Sequence, residues 1–213
     1  MIKNNRWKIV FTSILTVLPM IAGLILWDKL PDKIATHWGF NGAADGWSSR
    51  GFTVFGIPLM MLAMHAICVI AVSADKKNKK QNNRILEISL WIIPIVSIVS
   101  NAYVYVNAMG KEFFGGIRII VILTGLLFVI IGNYLPKVSQ NRTVGIKIPT
   151  TLKSRENWYA THRLAGKLWV IGGLATMLST ILPDKIIWYV FVGILIIITL
   201  IPAIYSFIYK KKG

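Results

Sequence analysis

Acidic side chains are scarce in this chain, eight among 213 residues against 24 lysines and arginines. None of the eight lies within a span except Glu87, near a helix edge. That scarcity argues against a proton-coupled transporter, which needs a relay of Asp, Glu or His at membrane depth. Cysteine is scarcer still. The single Cys68 excludes an intramolecular disulfide, and with three histidines in the chain no cluster has zinc-ligand spacing. No phosphate loop, nucleophile elbow or metalloprotease signature is present, so the chain is read as non-enzymatic and without a cofactor. His37 with Asp45, and His162 with Glu156, are pairs rather than catalytic constellations.

Apolar residues are what the chain has in excess. They make up 55% of it, with a mean hydropathy of +0.62, and only 15% of residues are charged. Six apolar runs are long enough to cross a hydrocarbon core, which takes about 20 helical residues. They lie at 9–27, 52–72, 88–108, 117–135, 164–182 and 186–208. The first run is too long for a secretory signal, and Trp27-Asp28-Lys29 is a poor cleavage site. The pattern predicts an all-α membrane protein: a single six-transmembrane-helix bundle over 1–213, with an extracellular loop (28–51) and a structured cytoplasmic loop (136–163).

The sidedness comes from the placement of basic residues. Eighteen of the 24 fall at the two termini, around 76–84 and within 136–167; six fall in 28–51, 108–118 and 183–185. Both termini are therefore expected in the cytoplasm of a bacterial cell membrane. The net charge of +16 is then an orientation signal with some attraction to the anionic bilayer, not a sign of direct nucleic-acid binding.

Two polar segments interrupt the runs. The outer one, "LPDKIATHWGFNGAADGW" (30–47), ends the first span at Pro31 and Asp32, where a short interfacial helix is expected to start. Its Gly/Asn/Asp-rich second half suits turns. Trp38 and Trp47 suit the headgroup level. His37, Asn41 and Asp45 recur every four residues, although Gly39 and Gly42 oppose a regular helix. A metal site from Asp32, His37 and Asp45 lacks any recognisable ligand spacing.

The inner segment is "NYLPKVSQNRTVGIKIPTTLKSRENWYATHR" (133–163). Val144, Ile146 and Ile148 alternate like a short extended piece. Ser154 is placed to cap a helix carrying Trp158, Thr161, His162 and Arg163 into the fifth span. Trp158 and Tyr159 at the headgroups is the simplest reading of that helix. A folded motif is the stronger one, with Asn133 and Asn141 satisfying backbone groups left open by a break. Within the spans, His65 is a candidate functional group, or else a neutral histidine bonded to a neighbouring helix. Asn101 and Asn107 are candidates for interhelical hydrogen bonds.

Taken together, "LPDKIATHWGFNGAADGW" and "GN…LPK…N…VGIKIPTTL…W…THR.AGK" resemble the SdpI family of bacterial membrane proteins. The matching positions are Gly132, Asn133, Asn141, Gly145, Pro149, Thr151, Leu152, Trp158 and Arg163. Lys147 stands where the family usually has Arg, and Thr150 where it often has Trp. The resemblance implies immunity against an extracellular antimicrobial peptide toxin, and capture of a small DNA-binding repressor at the membrane. On that reading His37, Trp38, Phe40, Asn41, Asp45 and Trp47 form the toxin contact. The inner motif is Asn133, Asn141, Gly145, Lys147, Pro149, Thr151, Trp158, His162 and Arg163. A transporter or channel for a small solute or peptide is the alternative.

Overall fold

The computed structural model describes residues 2–39, 43–74, 84–111 and 117–209. Phe40, Asn41, the basic segment 75–83 and the terminal lysines lie outside them. Six helices among the described residues are long and apolar enough to cross a membrane, at the places the apolar runs predict. The chain divides into two compact units, Met1–Phe114 and Gly115–Gly213.

The first unit packs three long helices, α1 (Ile2–Ile25), α2 (Ile57–Ala74) and α3 (Arg84–Ala108), around one another. At 24 residues α1 is about 36 Å long, enough for a bilayer core of about 30 Å. Its surface is inside-out relative to a soluble helix. Ile14, Leu18 and Ile21 are exposed, whereas Thr12 and Thr16, one turn apart, are fully buried. Thr16 accepts at its carbonyl from Ser97 Oγ on α3 (2.8 Å), and Pro19 accepts from Tyr105 Oη (3.2 Å). Hydrocarbon offers helices no reason to associate through apolar surface, so such polar links and close packing hold them. Asn101 and Asn107 do not join helices as expected. Each amide bonds a carbonyl one turn back in its own helix, Ser97 O and Tyr103 O.

Between α1 and α2 lies a hairpin, β1 (Lys33–Trp38) paired antiparallel with β2 (Ala44–Ser49). This corrects the short helix expected after Pro31. A 3-10 turn at Trp27–Lys29 closes α1 instead, and Ile34 and Thr36, stiff β-branched residues, favour the pleat. A π-helical turn, Phe52–Gly56, returns the chain into α2.

The second unit contains α4 (Ile117–Tyr134), a short α5 (Pro149–Lys153), α6 (Arg155–Leu178) and α7 (Asp184–Ile208). Helices α4 and α6 meet backbone to backbone. A Cβ on Gly132 would lie 2.7 Å from Val170 N, and one on Gly173 would lie 2.5 Å from Gly125 O. Gly125 and Gly132 are two turns apart, as are Gly166 and Gly173, so each helix presents a seam of two glycines to the other. The connector from 135 to 154 leads from α4 back to α6.

Candidate functional site

The hairpin is held to the first unit through its apolar face. Ile34, only 1% exposed, joins Leu30, Val54, Val104 and Tyr105 in a buried cluster. Trp38 is half-buried, with its ring edge-on to Tyr103 at 5.0 Å. It is a strut for the hairpin, not the open aromatic surface expected of it. Arg50 closes the other end: its backbone N–H donates to Asp32 O (2.9 Å) and its guanidinium meets the Asp32 carboxylate. The same guanidinium donates to Trp27 O (3.0 Å) and lies over the Trp27 ring.

The pairing register carries two irregularities. Ala35 faces Trp47 and His37 faces Gly46, so Thr36 is an extra residue on β1; Trp38 faces Ala44, so Asp45 is an extra residue on β2. Bulges re-aim side chains. Here Asp45 Oδ1 comes to 2.5 Å from His37 Nδ1, and both side chains are largely exposed. Gly46 makes room, since a Cβ there would lie 2.9 Å from His37 Cβ. Asp32 is engaged by Arg50, and among the described residues no third metal-binding side chain joins His37 and Asp45. Trp47 is 59% exposed and is the large apolar side chain the strands leave open.

The connector of the second unit is a folded motif. Asn141 is fully buried and uses its whole amide. Its Nδ2 donates to Ser139 O (2.9 Å) and Val144 O (3.0 Å), and its Oδ1 accepts from the N–H groups of Thr143 and Val144 (2.7 Å each). Irregular backbone near a membrane needs such internal partners. Gly145 follows at φ 113°, with His162 and the Trp158 ring against its Cα; a side chain there would be both strained and obstructed. Of the alternating Val144, Ile146 and Ile148, Val144 lies in a bend made by the Asn141 turn, while Ile148 is extended but pairs in no strand.

Trp158, on the first turns of α6, is fully buried and donates from Nε1 to Val138 O (2.7 Å). This corrects the expected headgroup-facing Trp158, which is enclosed by protein; its neighbour Tyr159 is exposed instead. His162 stacks on Trp158 at 4.0 Å and joins both sides of the motif. Its Nε2 accepts from Ile146 N (2.9 Å), so the hydrogen sits on Nδ1, which donates to Trp158 O (2.8 Å). Thr151 Oγ accepts from Ile148 N (3.2 Å) and donates to Ile146 O (2.7 Å). Pro149 opens α5 at a position needing no N–H, and Ser154 caps α6 by accepting from Asn157 N (3.2 Å).

The remaining motif residues are dispersed. Asn133 is exposed on α4, and the backbone duty assigned to it falls to Asn141. Lys147 is exposed and donates to Thr143 O (2.9 Å); Arg163 is exposed on α6. Four residues were missed by sequence reasoning. Gln140 Nε2 donates to Thr151 O and Leu152 O (2.8 and 2.9 Å). Asn157 donates to Ser206 O (2.8 Å) and accepts from Ser206 Oγ (2.9 Å), while Thr150 Oγ meets Ser206 Oγ at 2.6 Å. Nothing in the local sequence signals Gln140's partners 11 and 12 residues on, or the partnership of Thr150 and Asn157 with Ser206 some 50 residues away.

In the first unit His65 is 1% exposed, with Nε2 at 3.1 Å from Thr12 Oγ on α1. Thr12 Oγ also lies within hydrogen-bond reach of Lys8 O (2.8 Å), and the imidazole links two helices. Its Nδ1 has no partner among the described residues.

Comparison with known proteins adds to this geometry. Residues 137–206, from the connector through most of α7, match the SdpI/YfhL protein family. The chain is also 26% identical over 211 residues to Immunity protein SdpI of Bacillus subtilis (strain 168), covering 96% of this chain and 97% of that one. The chain is thus similar to SdpI-family proteins. Residues 14–62 match a domain of unknown function, DUF1648, which here comprises the second half of α1, the hairpin and the start of α2. The two matches thus fall on the two folded polar segments, one in each unit. No solved structure matches the chain.

Proposed function

We propose that this multi-pass membrane protein is an immunity protein that protects its cell against an extracellular peptide toxin. The observation that carries the proposal is the end-to-end likeness to Immunity protein SdpI, which spans both polar segments. Both termini are cytoplasmic on this reading, by the bias of basic residues, and the hairpin faces outward. The outward segments then nearly balance, with six basic against five acidic residues, so a cationic peptide meets little repulsion there. Trp47 and the His37–Asp45 pair are the contact surface; an exposed tryptophan is the side chain most often found as a binding hot spot. Repressor capture stays outside the proposal. The inner face is strongly basic, and so is a DNA-binding surface.

The test is survival against toxin dose in a sensitive host expressing the full chain, with protein level checked by blot. The parent chain should protect. Trp47→Ala should weaken toxin binding by about 2 kcal/mol, roughly thirtyfold, at normal protein level. Trp38→Ala is the less informative variant, since it removes a strut. No protection by a well-expressed parent refutes immunity. Undiminished protection by Trp47→Ala refutes only the hairpin contact.

A further inference from the structure

The exposed face of α6 carries a regular basic stripe. Arg155, Tyr159, Arg163 and Lys167 recur every four residues, and all four are exposed, while Trp158, Thr161, His162 and Ala165 on the opposite face are buried. Residues four apart lie on one side of a helix. From Arg155 to Lys167 the stripe runs about 18 Å along the axis. The apolar stretch of α6 begins only at Leu164. Helix α6 has 24 residues and is about 36 Å long, more than the roughly 30 Å of a hydrocarbon core. The turns before Leu164, about 12 Å from Arg155 to Arg163, precede the apolar stretch, and Lys167 lies within one turn of its start, long enough to reach back. Lys137 adds a cation from the 3-10 turn Leu135–Lys137, which packs on α6.

The acidic residue in these turns is Glu156, whose carboxylate accepts from Ser154 Oγ (2.9 Å). Among the described residues Arg155, Arg163 and Lys167 form no ion pair. Two arginines with a tyrosine between them just before the apolar stretch, and a lysine just inside it, match an anionic headgroup in charge and in position. Arg can grip a phosphate with two parallel N–H donors. Tyr159 suits the interface, where its ring is apolar and its hydroxyl wet.

We propose that this face of α6 is a binding site for anionic phospholipid, with Arg155 and Arg163 on the headgroup phosphate and Lys167 below them. An acidic protein segment would satisfy the same charges, but the helix surplus and the interfacial tyrosine favour lipid.

The experiment is a native mass spectrometry titration of the full-length protein in detergent, with phosphatidylglycerol and with phosphatidylcholine. The parent should retain phosphatidylglycerol with at least about fivefold higher affinity, on the order of one basic side chain's attraction to an anionic surface. The triple variant Arg155→Gln, Arg163→Gln, Lys167→Gln should lose that preference, and Tyr159→Leu should keep most of it. Equal retention of both lipids by the parent overturns the proposal without recourse to any variant. So does a triple variant that keeps the preference. Displacement of phosphatidylglycerol by millimolar inorganic phosphate, or by an acidic peptide, would also overturn it, by showing a site for free anions or for protein.

Discussion

Asn141 and Asn133 show how little residue type says about duty. Both are asparagines of the inner segment, and the sequence assigns both to unmet backbone groups. Asn141 is buried and makes four bonds; Asn133 is exposed. Asn141→Leu would strand two N–H and two C=O groups, at about 1–3 kcal/mol for each that water cannot reach. Folded yield of that variant, read by size-exclusion chromatography in detergent, should fall sharply. Asn133→Leu should stay within about 0.5 kcal/mol of the parent. Equal yields of the two variants would mean the connector is a passive linker. His162 follows the same rule as Asn141. Its role comes from accepting the Ile146 N–H sixteen residues back, a distance no local pattern encodes.

At the scale of the element, the hairpin and the glycine seam divide the labour of holding each unit. The hairpin's alternation of Ile34 inward and Lys33 outward is plain in the sequence once a strand is considered. The Gly/Asn/Asp cluster after it reads as a turn signal, but the helix expected at Pro31 and Asp32 hid the strand before it. The glycines of α4 and α6 are the reverse case. Inside an apolar run they read as neutral filler, yet they set how closely the helices approach. Gly132→Val would push against Val170 N, Gly166 O and the Trp169 Cβ, which are backbone or rigidly held atoms. Its midpoint of thermal unfolding in detergent should drop well below that of Gly193→Val, where a Cβ meets nothing within 4 Å. Similar midpoints for the pair would show that α4 and α6 separate freely.

For the whole molecule, composition already excludes a soluble domain: six spans take most of the chain. Sidedness is a property of the whole chain too, since it rests on where 24 basic residues fall rather than on any one of them. In a Cys68→Ser background, an impermeant thiol reagent added to intact cells should label Ala44→Cys and leave Ser139→Cys unlabelled. The opposite pattern would turn the protein over and move the hairpin to the cytoplasm, away from any extracellular toxin.

The sequence by itself determined the number and places of the spans, because crossing a bilayer requires about 20 apolar helical residues and little else imitates that. It also marked the two polar segments, which hydrocarbon would not tolerate unpartnered. Which side chains in those segments are props and which are open was decided only in three dimensions. Trp38 and Trp47 have equal claims in the sequence, but two compensating bulges and the Tyr103 ring leave one packed and the other exposed. Trp158 is drawn inward by a carbonyl twenty residues away, while Tyr159 beside it stays out. Partners that far apart along the chain meet only when the helices pack, and that meeting is set by tertiary geometry rather than by local pattern.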